Sequence, residues 1–369
     1  MSTLATIADH YLRYSDGLEE IEADEYETFQ KIGELMSHGA DTVHKKEGQP
    51  VRISHAKAHG AVAGKLTVNS DLPEYLRQGL FAEPGKTYDV LIRLAHTPGE
   101  FVDDRKVSTP RGFSIKVLGV SGEKLPGHTG NTQDFVFDTG KAFIVPGAKS
   151  FLQAFKPNAE LAPHLNDTIK GAVSTLSRAT NKALMFFGTE SGQLDFFGHP
   201  FLHPLAECYY SQTPSRFGDY VAEFRVEPVT PGLKELEGKE FEPQDANGLR
   251  TDVVEFFRTH DAEYVFSAQL ATDSERFPIE DATAKWPEDV SPYQPVARIT
   301  IAAQDAYGPA RVKYIEALSF SPAHSLASLR PMGSLNRARL YAYTALAAKR
   351  RNELGVAQEE PESLDAFPA

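Results

Sequence analysis

The sequence predicts an α+β protein in which an antiparallel β-barrel of eight strands is surrounded by helices, and three observations point there. From His59 onward, apolar residues recur with the period of two that marks strands. Turn-rich stretches such as Pro98-Gly99 and Pro126-Gly127 separate the candidates, and most connections suit antiparallel neighbours rather than βαβ crossovers. A strong helical pattern over 334–351 closes the ordered part of the chain.

In chain order, residues 4–37 read as an amphipathic helix, with Ile21, Tyr26, Phe29, Ile32, Leu35 and Met36 set among acids. This is the pattern of a packing arm, residues 1–47, rather than of a catalytic core. The main domain spans 48–355. Its eight strand candidates are Ala61–Val68, Tyr88–Ala95, Gly112–Gly119, Gln133–Asp138, Ala206–Thr213, Tyr220–Pro228, Glu263–Thr272 and Val296–Ala303. A long, partly helical excursion, Ser150–Gly192, interrupts them. Ser334 is the expected N-cap of the last helix and Gly355 its stop, and the acidic, proline-bearing segment 356–369 reads as a loose tail.

Composition narrows the function. The 369 residues are 41% apolar and 24% charged, and a net charge of −13 argues against nucleic-acid or anionic-membrane binding. A small substrate is therefore expected. Cys208 is the single cysteine, which excludes intrachain disulfides and cysteine-rich metal sites and suits a cytoplasmic setting. Asp9, Asp16, Glu19 and Glu20 near the start speak against a signal peptide, and no stretch suggests integral membrane association. A homo-oligomer is compatible with all of this.

Two constellations could carry chemistry. Arg339 and Tyr343 stand four apart on the last helix with Arg350 seven further on, so two cations flank one phenol. A phenol with an ordinary pKa near ~10 ligates metal poorly until nearby positive charge stabilises its phenolate. Read alone, such arginines are more commonly solvated. In Val51-Arg52-Ile53-Ser54-His55-Ala56-Lys57-Ala58-His59-Gly60 two histidines share strand-like parity, and small residues follow that would let a flat ligand approach. A histidine beside peroxide can move a proton from one oxygen to the other. A satisfied structural histidine is the commoner outcome without further context. His199 and His203 are four apart, but Pro200 and Pro204 forbid a regular helix, so no zinc pair is expected there.

Taken together these segments resemble the haem catalases and, in several places, the catalase-related allene oxide synthases, from about Val51 to Arg350. Arg52-Ile53-Ser54-His55 resembles the family's distal R-x-x-H, which implies that His55 faces peroxide and Arg52 a haem propionate, with His59 as the alternative to His55. Arg93 matches a second propionate arginine. Pro110-Arg111-Gly112-Phe113-Ser114-Ile115-Lys116 is similar to the family's P-R-G-F-A-x-K, placing Arg111 in the cofactor-binding set. Phe143 and Phe151 fall where the family has aromatics around the haem and its channel. Arg339-Leu340-Tyr341-Ala342-Tyr343 resembles R-x-F-x-Y, implying Tyr343 as the iron ligand, Arg339 as its support and Arg350 as another propionate partner. The implied cofactor is haem b, and the implied fold is the catalase-like barrel.

The resemblance implies an oxidoreductase that cleaves the O–O bond of hydrogen peroxide or an organic hydroperoxide. It leaves open a hydroperoxide isomerase or dehydratase and a haem carrier without turnover. Departures from the pattern also matter. Asp138 stands at the distal asparagine's place, and Ser54 where the families have valine or threonine, so both join His55 as expected catalytic residues. The expected form of Asp138 is ionised, which would keep His55 protonated and slow oxygen release; a buried, neutral Asp138 that donates its hydroxyl is the alternative. Only 26 residues follow Tyr343, so the large C-terminal helical domain of large catalases, and its nicotinamide cofactor, are not expected.

Overall fold

The computed structural model describes residues 9–161, 165–186, 191–357 and 360–368. In order these form α1 (Glu25–Glu47), β1 (Ala58–Val68), β2 (Thr87–His96), β3 (Arg111–Leu118), β4 (Thr132–Thr139), α2 (Ala148–Leu161), α3 (Asp167–Phe186) and α4 (Gly192–Gly198). There follow β5 (Tyr209–Tyr210), β6 (Ser215–Phe217), β7 (Tyr220–Pro228), α5 (Pro231–Lys234), α6 (Gly248–Thr259), β8 (Ala262–Leu270), β9 (Gln294–Ile301), α7 (Pro309–Ala317) and α8 (Ser334–Leu354).

Eight of these strands close into an antiparallel barrel. The ladder runs β5-β4-β3-β2-β1-β9-β8-β7, a further β5–β7 pairing shuts the ring, and β6 is appended to β7. Closure removes the open edges that invite aggregation. The interior is filled largely by aromatic rings. Phe81, Phe113, Phe137, Phe217, Phe224, Phe266, Tyr209 and Tyr264 are all fully buried, in tilted and edge-on pairs such as Phe135–Phe266 at 5.0 Å.

The fifth strand is much shorter than its sequence pattern. Residues Pro204–Ala206 form a 3₁₀ turn, and Gln212 has φ +59, so pairing is limited to Tyr209–Tyr210. The Gln212 side-chain amide instead donates to the carbonyls of Thr139, Gly140 and Ala142.

The N-terminal helix also shifts. Residues 4–8 lie outside the described residues, and 9–24 form no α-helix, only a 3₁₀ turn at Asp16–Leu18, because their backbone serves the barrel: Leu12 N–H donates to Ala271 O and Tyr14 N–H to Asp219 O, both at 2.8 Å. Helix α1 starts later and runs to Glu47. Ser334 is the first helical residue of α8 rather than its cap; Gly333 occupies the cap, and Ser334 Oγ accepts from Ala148 N–H at 3.3 Å. Gly355 ends that helix in the left-handed region, φ +67.

Residues 360–368 are packed rather than loose. Glu360 is half-buried with its Oε2 2.5 Å from Lys116 Nζ, and the Phe367 ring lies against Tyr314 and under Arg311. A charge sequestered from water needs a partner, and Glu360 supplies one to a lysine with no exposure. Among the described residues, no helix is long and apolar enough to cross a membrane.

Candidate active site

Strand parity builds one wall of a cavity on the outside of the barrel. Phe113, Ile115 and Val117 of β3, and Phe135 and Phe137 of β4, point into the core, so the residues between them face outward. Register sets these side by side: Arg93, Ser114 and Val136 form one row, and Ala95, Gly112 and Asp138 the next.

His55 reaches this wall from the irregular segment before β1. Its φ is +55, unusual for a residue with a Cβ, and its N–H donates to Thr97 O at 2.9 Å. The ring lies against Gly112, where a Cβ would come 2.4 Å from Nδ1. Asp138 stands beside it, Oδ2 3.9 Å from His55 Nε2. Its carboxyl is hydrogen-bonded by the Thr97 hydroxyl at 3.0 Å and by the Thr139 N–H at 2.8 Å.

Desolvation decides the charge of both groups. Burial pushes Asp138 up to about 8 against those hydrogen bonds. Burial, reinforced by the charges of Arg93 and Arg339, pushes His55 down to about 3. At neutral pH Asp138 is therefore protonated and His55 neutral, and their contact is not an ion pair. This corrects the expectation of an ionised aspartate beside an imidazolium, because the cost of burying a carboxylate outweighs its hydrogen bonds.

His59 does not face the cavity. The irregular step between Ala58 and Gly60 breaks the parity expected of the two histidines, and His59 is fully buried, edge-on to His96 at 5.9 Å. Parity likewise turns Arg111 inward with Phe113. It is buried, donates to Thr109 O and to Ser108 Oγ at 3.2 Å, lies 3.9 Å from Glu207, and does not line the cavity.

The opposite wall is α8. Arg337 fixes its rotation by pairing with Glu19 and Glu25 at 2.6 Å and with Glu280 at 2.9 Å. Phe29 and Ile32 of α1 pack on Ala338, Ala342 and Leu346. That leaves Leu335, Ala338, Arg339, Ala342 and Tyr343 facing the cavity, with the Arg339 guanidinium 5.5 Å from the centre of the Tyr343 ring. The cavity measures about 1080 Å³ and takes in His55, Ser54, Asp138, Phe143 and Phe151 as well. Helix α1 is more than a packing arm, since Ile32, Leu35, Met36 and Val43 complete this wall.

A smaller recess of about 70 Å³ opens beside Tyr343 and His55, and Arg52, Arg93 and Arg350 are among its lining residues. At the other end the cavity runs between aromatic rings, with Phe151 stacked on Phe155 at 4.3 Å and Phe155 edge-on to Phe196. His199 also lines the cavity, its ring bonded to Asp195 at 2.9 Å and to Glu207 at 2.6 Å. Burial opposes its charge, but the two carboxylates hold it up to about 9. Sequence reasoning missed Gly112, Thr97, Phe155 and the Asp195–His199–Glu207 chain. Only the G of the P-R-G-F segment carried a local signal.

The arrangement is a barrel wall and a long helix enclosing one cavity, with an imidazole on one side, a phenol on the other and guanidiniums at one edge. Comparison with known proteins agrees with that class. Residues 34–158 match the family model described as Catalase. The chain is 25% identical over 308 residues to the catalase of Rattus norvegicus, covering 81% of this chain and 56% of that one. It is 22% identical over 303 residues to a peroxisomal catalase of Toxoplasma gondii, covering 78% and 56%. A crystal structure of a fungal catalase aligns with a TM-score of 0.60 and 18% identity over 92% of this chain and 66% of that one. The chain thus spans little more than half the length of these curated relatives. Residues 34–158 are thus similar to the catalase family, and the chain shares the fold of solved catalases.

Proposed function

We propose that the protein is a haem-dependent oxidoreductase that cleaves the O–O bond of hydrogen peroxide or an organic hydroperoxide. The observation that carries this reading is His55 and Asp138 on the barrel wall, facing Arg339 and Tyr343 of α8 across one cavity. The residues suit haem b. Tyr343 offers an oxygen donor supported by Arg339, and Arg52, Arg93 and Arg350 offer cations for its carboxylates. Among the described residues no group of three or more His, Cys, Asp or Glu is placed to hold a metal ion.

Bound haem would supply the iron that holds the peroxide and the redox equivalents for O–O cleavage. The chain's own residues handle the proton. Neutral His55 can accept it at Nε2 from one peroxide oxygen and return it to the other. Protonated Asp138 can donate a hydrogen bond where charge develops on oxygen, the task an asparagine amide would perform. Ser54 lies next to His55 on the same rim.

A second reading is favoured by the size of the cavity and its apolar, phenylalanine-rich end: isomerisation or dehydration of a long-chain hydroperoxide. Products separate the two. Oxygen release or oxidation of a coloured donor supports the first reading, and water loss from a lipid hydroperoxide without donor consumption supports the second. A haem-loaded protein that turns over neither peroxide would remove both.

A further inference from the structure

Glu316, at the end of α7, was not singled out by any sequence pattern, yet three arginines converge on it. Arg52 Nε donates to its Oε2 at 3.1 Å, and Arg93 Nε and Nη2 donate to its Oε1 at 3.2 and 3.0 Å. Arg350 Nη1 donates to the Glu316 carbonyl rather than to the carboxylate. Backbone carbonyls take further donors: Ile315 and Leu318 accept from Arg52, Ala56 from Arg93 and Leu318 from Arg350. Against the cost of burial, the charges of Arg52, Arg93 and Arg350 hold the carboxyl down at about 2, so Glu316 is anionic.

The charge count in the recess is unequal. Three guanidiniums line it, the carboxylate of Glu316 behind them is bonded to two of these, and Lys349 at the rim pairs with Asp41 and with Glu353, the latter at 3.2 Å. Among the described residues, the three arginines exceed the carboxylate of Glu316 by two units of positive charge, and enclosed charge of that kind is costly unless something neutralises it. Among the described residues, Arg52 Nη1, Arg93 Nη1 and Arg350 Nε donate to no acceptor.

We propose that Glu316 is a positioning residue that sets the net charge of this recess at two, matching a ligand with two carboxylates, and that it moderates the hold on that ligand by occupying donors of Arg52 and Arg93. The ligand is haem, so the inference rests on the function proposed above and adds to it the residue that tunes cofactor affinity. A carboxylate already bonded to two guanidiniums competes with an incoming carboxylate for charge-assisted hydrogen bonds. Removing its charge frees those donors and leaves the recess over-positive, which strengthens the preference for a dianionic ligand over a neutral one of the same shape.

The test compares haem with its dimethyl ester, which keeps the iron porphyrin and loses both negative charges. Affinities of each for the haem-free full-length protein are measured by absorbance titration, and rates of release by transfer to apomyoglobin. Wild type should prefer haem, and Glu316→Gln should widen that preference about tenfold, mainly through slower release of haem. Glu316→Asp should stay near wild type. The double variant Glu316→Gln/Arg52→Gln, with the charge count restored but one donor to the ligand lost, should prefer haem less than Glu316→Gln does. A ratio unchanged or reduced in Glu316→Gln, or a double variant that prefers haem as strongly as Glu316→Gln, overturns the inference. A wild type that binds neither porphyrin instead removes the haem reading beneath it.

Discussion

The ring of His55 lies directly over Gly112, so close that a Cβ on Gly112 would stand 2.4 Å from Nδ1. A strand residue and a residue of an irregular segment 57 positions away in sequence are thereby locked together. Gly112→Ala must displace the imidazole or the backbone at a cost of about 1–3 kcal/mol. The variant should melt lower, keep its haem, and lose peroxide turnover in proportion to the displacement. Unchanged turnover would show that His55 is not held by this contact.

His55→Ala should retain haem and lose roughly 10²–10⁴-fold in peroxide turnover, the usual worth of a positioned acid–base group. His59→Ala, in the core, should mainly lower stability. Steady-state rates and melting curves on both variants check the assignment, which the reverse ranking would contradict.

Tyr343→Phe removes the only ligating oxygen that α8 presents beside Arg339 in the cavity. The expected outcome is loss of haem, or a changed absorption spectrum in the haem that remains. An unaltered spectrum would place the iron ligand elsewhere.

Asp138 makes two pH dependences. In the unfolded chain its carboxyl ionises near ~3.9, but in the fold it keeps its proton up to about 8. Between those values the native state binds more protons than the unfolded state, so this group's stabilising contribution is present below the lower value and lost as pH rises to the upper. Asp138→Asn should therefore gain stability relative to wild type between pH 5 and 8. The same proton supplies the hydrogen-bond donor near His55, so wild-type turnover should fall above about 8 while Asp138→Asn stays flat. Melting temperatures and peroxide turnover across pH read out both effects, and parallel profiles for the two proteins would refute the assignment.

Glu360→Gln tests the tail. Lys116 keeps Asp134 at 2.7 Å but loses a second carboxylate in a site shielded from solvent. A loss of about 1–3 kcal/mol is expected from chemical denaturation. No change in midpoint would mean that the tail merely rests on the barrel.

Period and order alone determined much of this protein. Alternation set β2, β3, β4, β7, β8 and β9 to within a few residues. The i, i+4 spacing of Arg339 and Tyr343 put both on one face of α8, since helix geometry is local. Parity, too, was local in principle, and it would have turned Arg111 away from the cavity had its phase been known. Other features depended on contacts distant in sequence. The segment before α1 became irregular because the barrel took its backbone hydrogen bonds, and β5 shrank because Gln212 left the ladder. The charge states of His55 and Asp138 required knowledge of burial, because desolvation depends on everything that surrounds a group and not on its neighbours in the chain. Glu316 was invisible for the same reason: its meaning lies in Arg52, Arg93 and Arg350, which are brought to it from three different parts of the sequence only when the barrel closes and α7 and α8 pack against it.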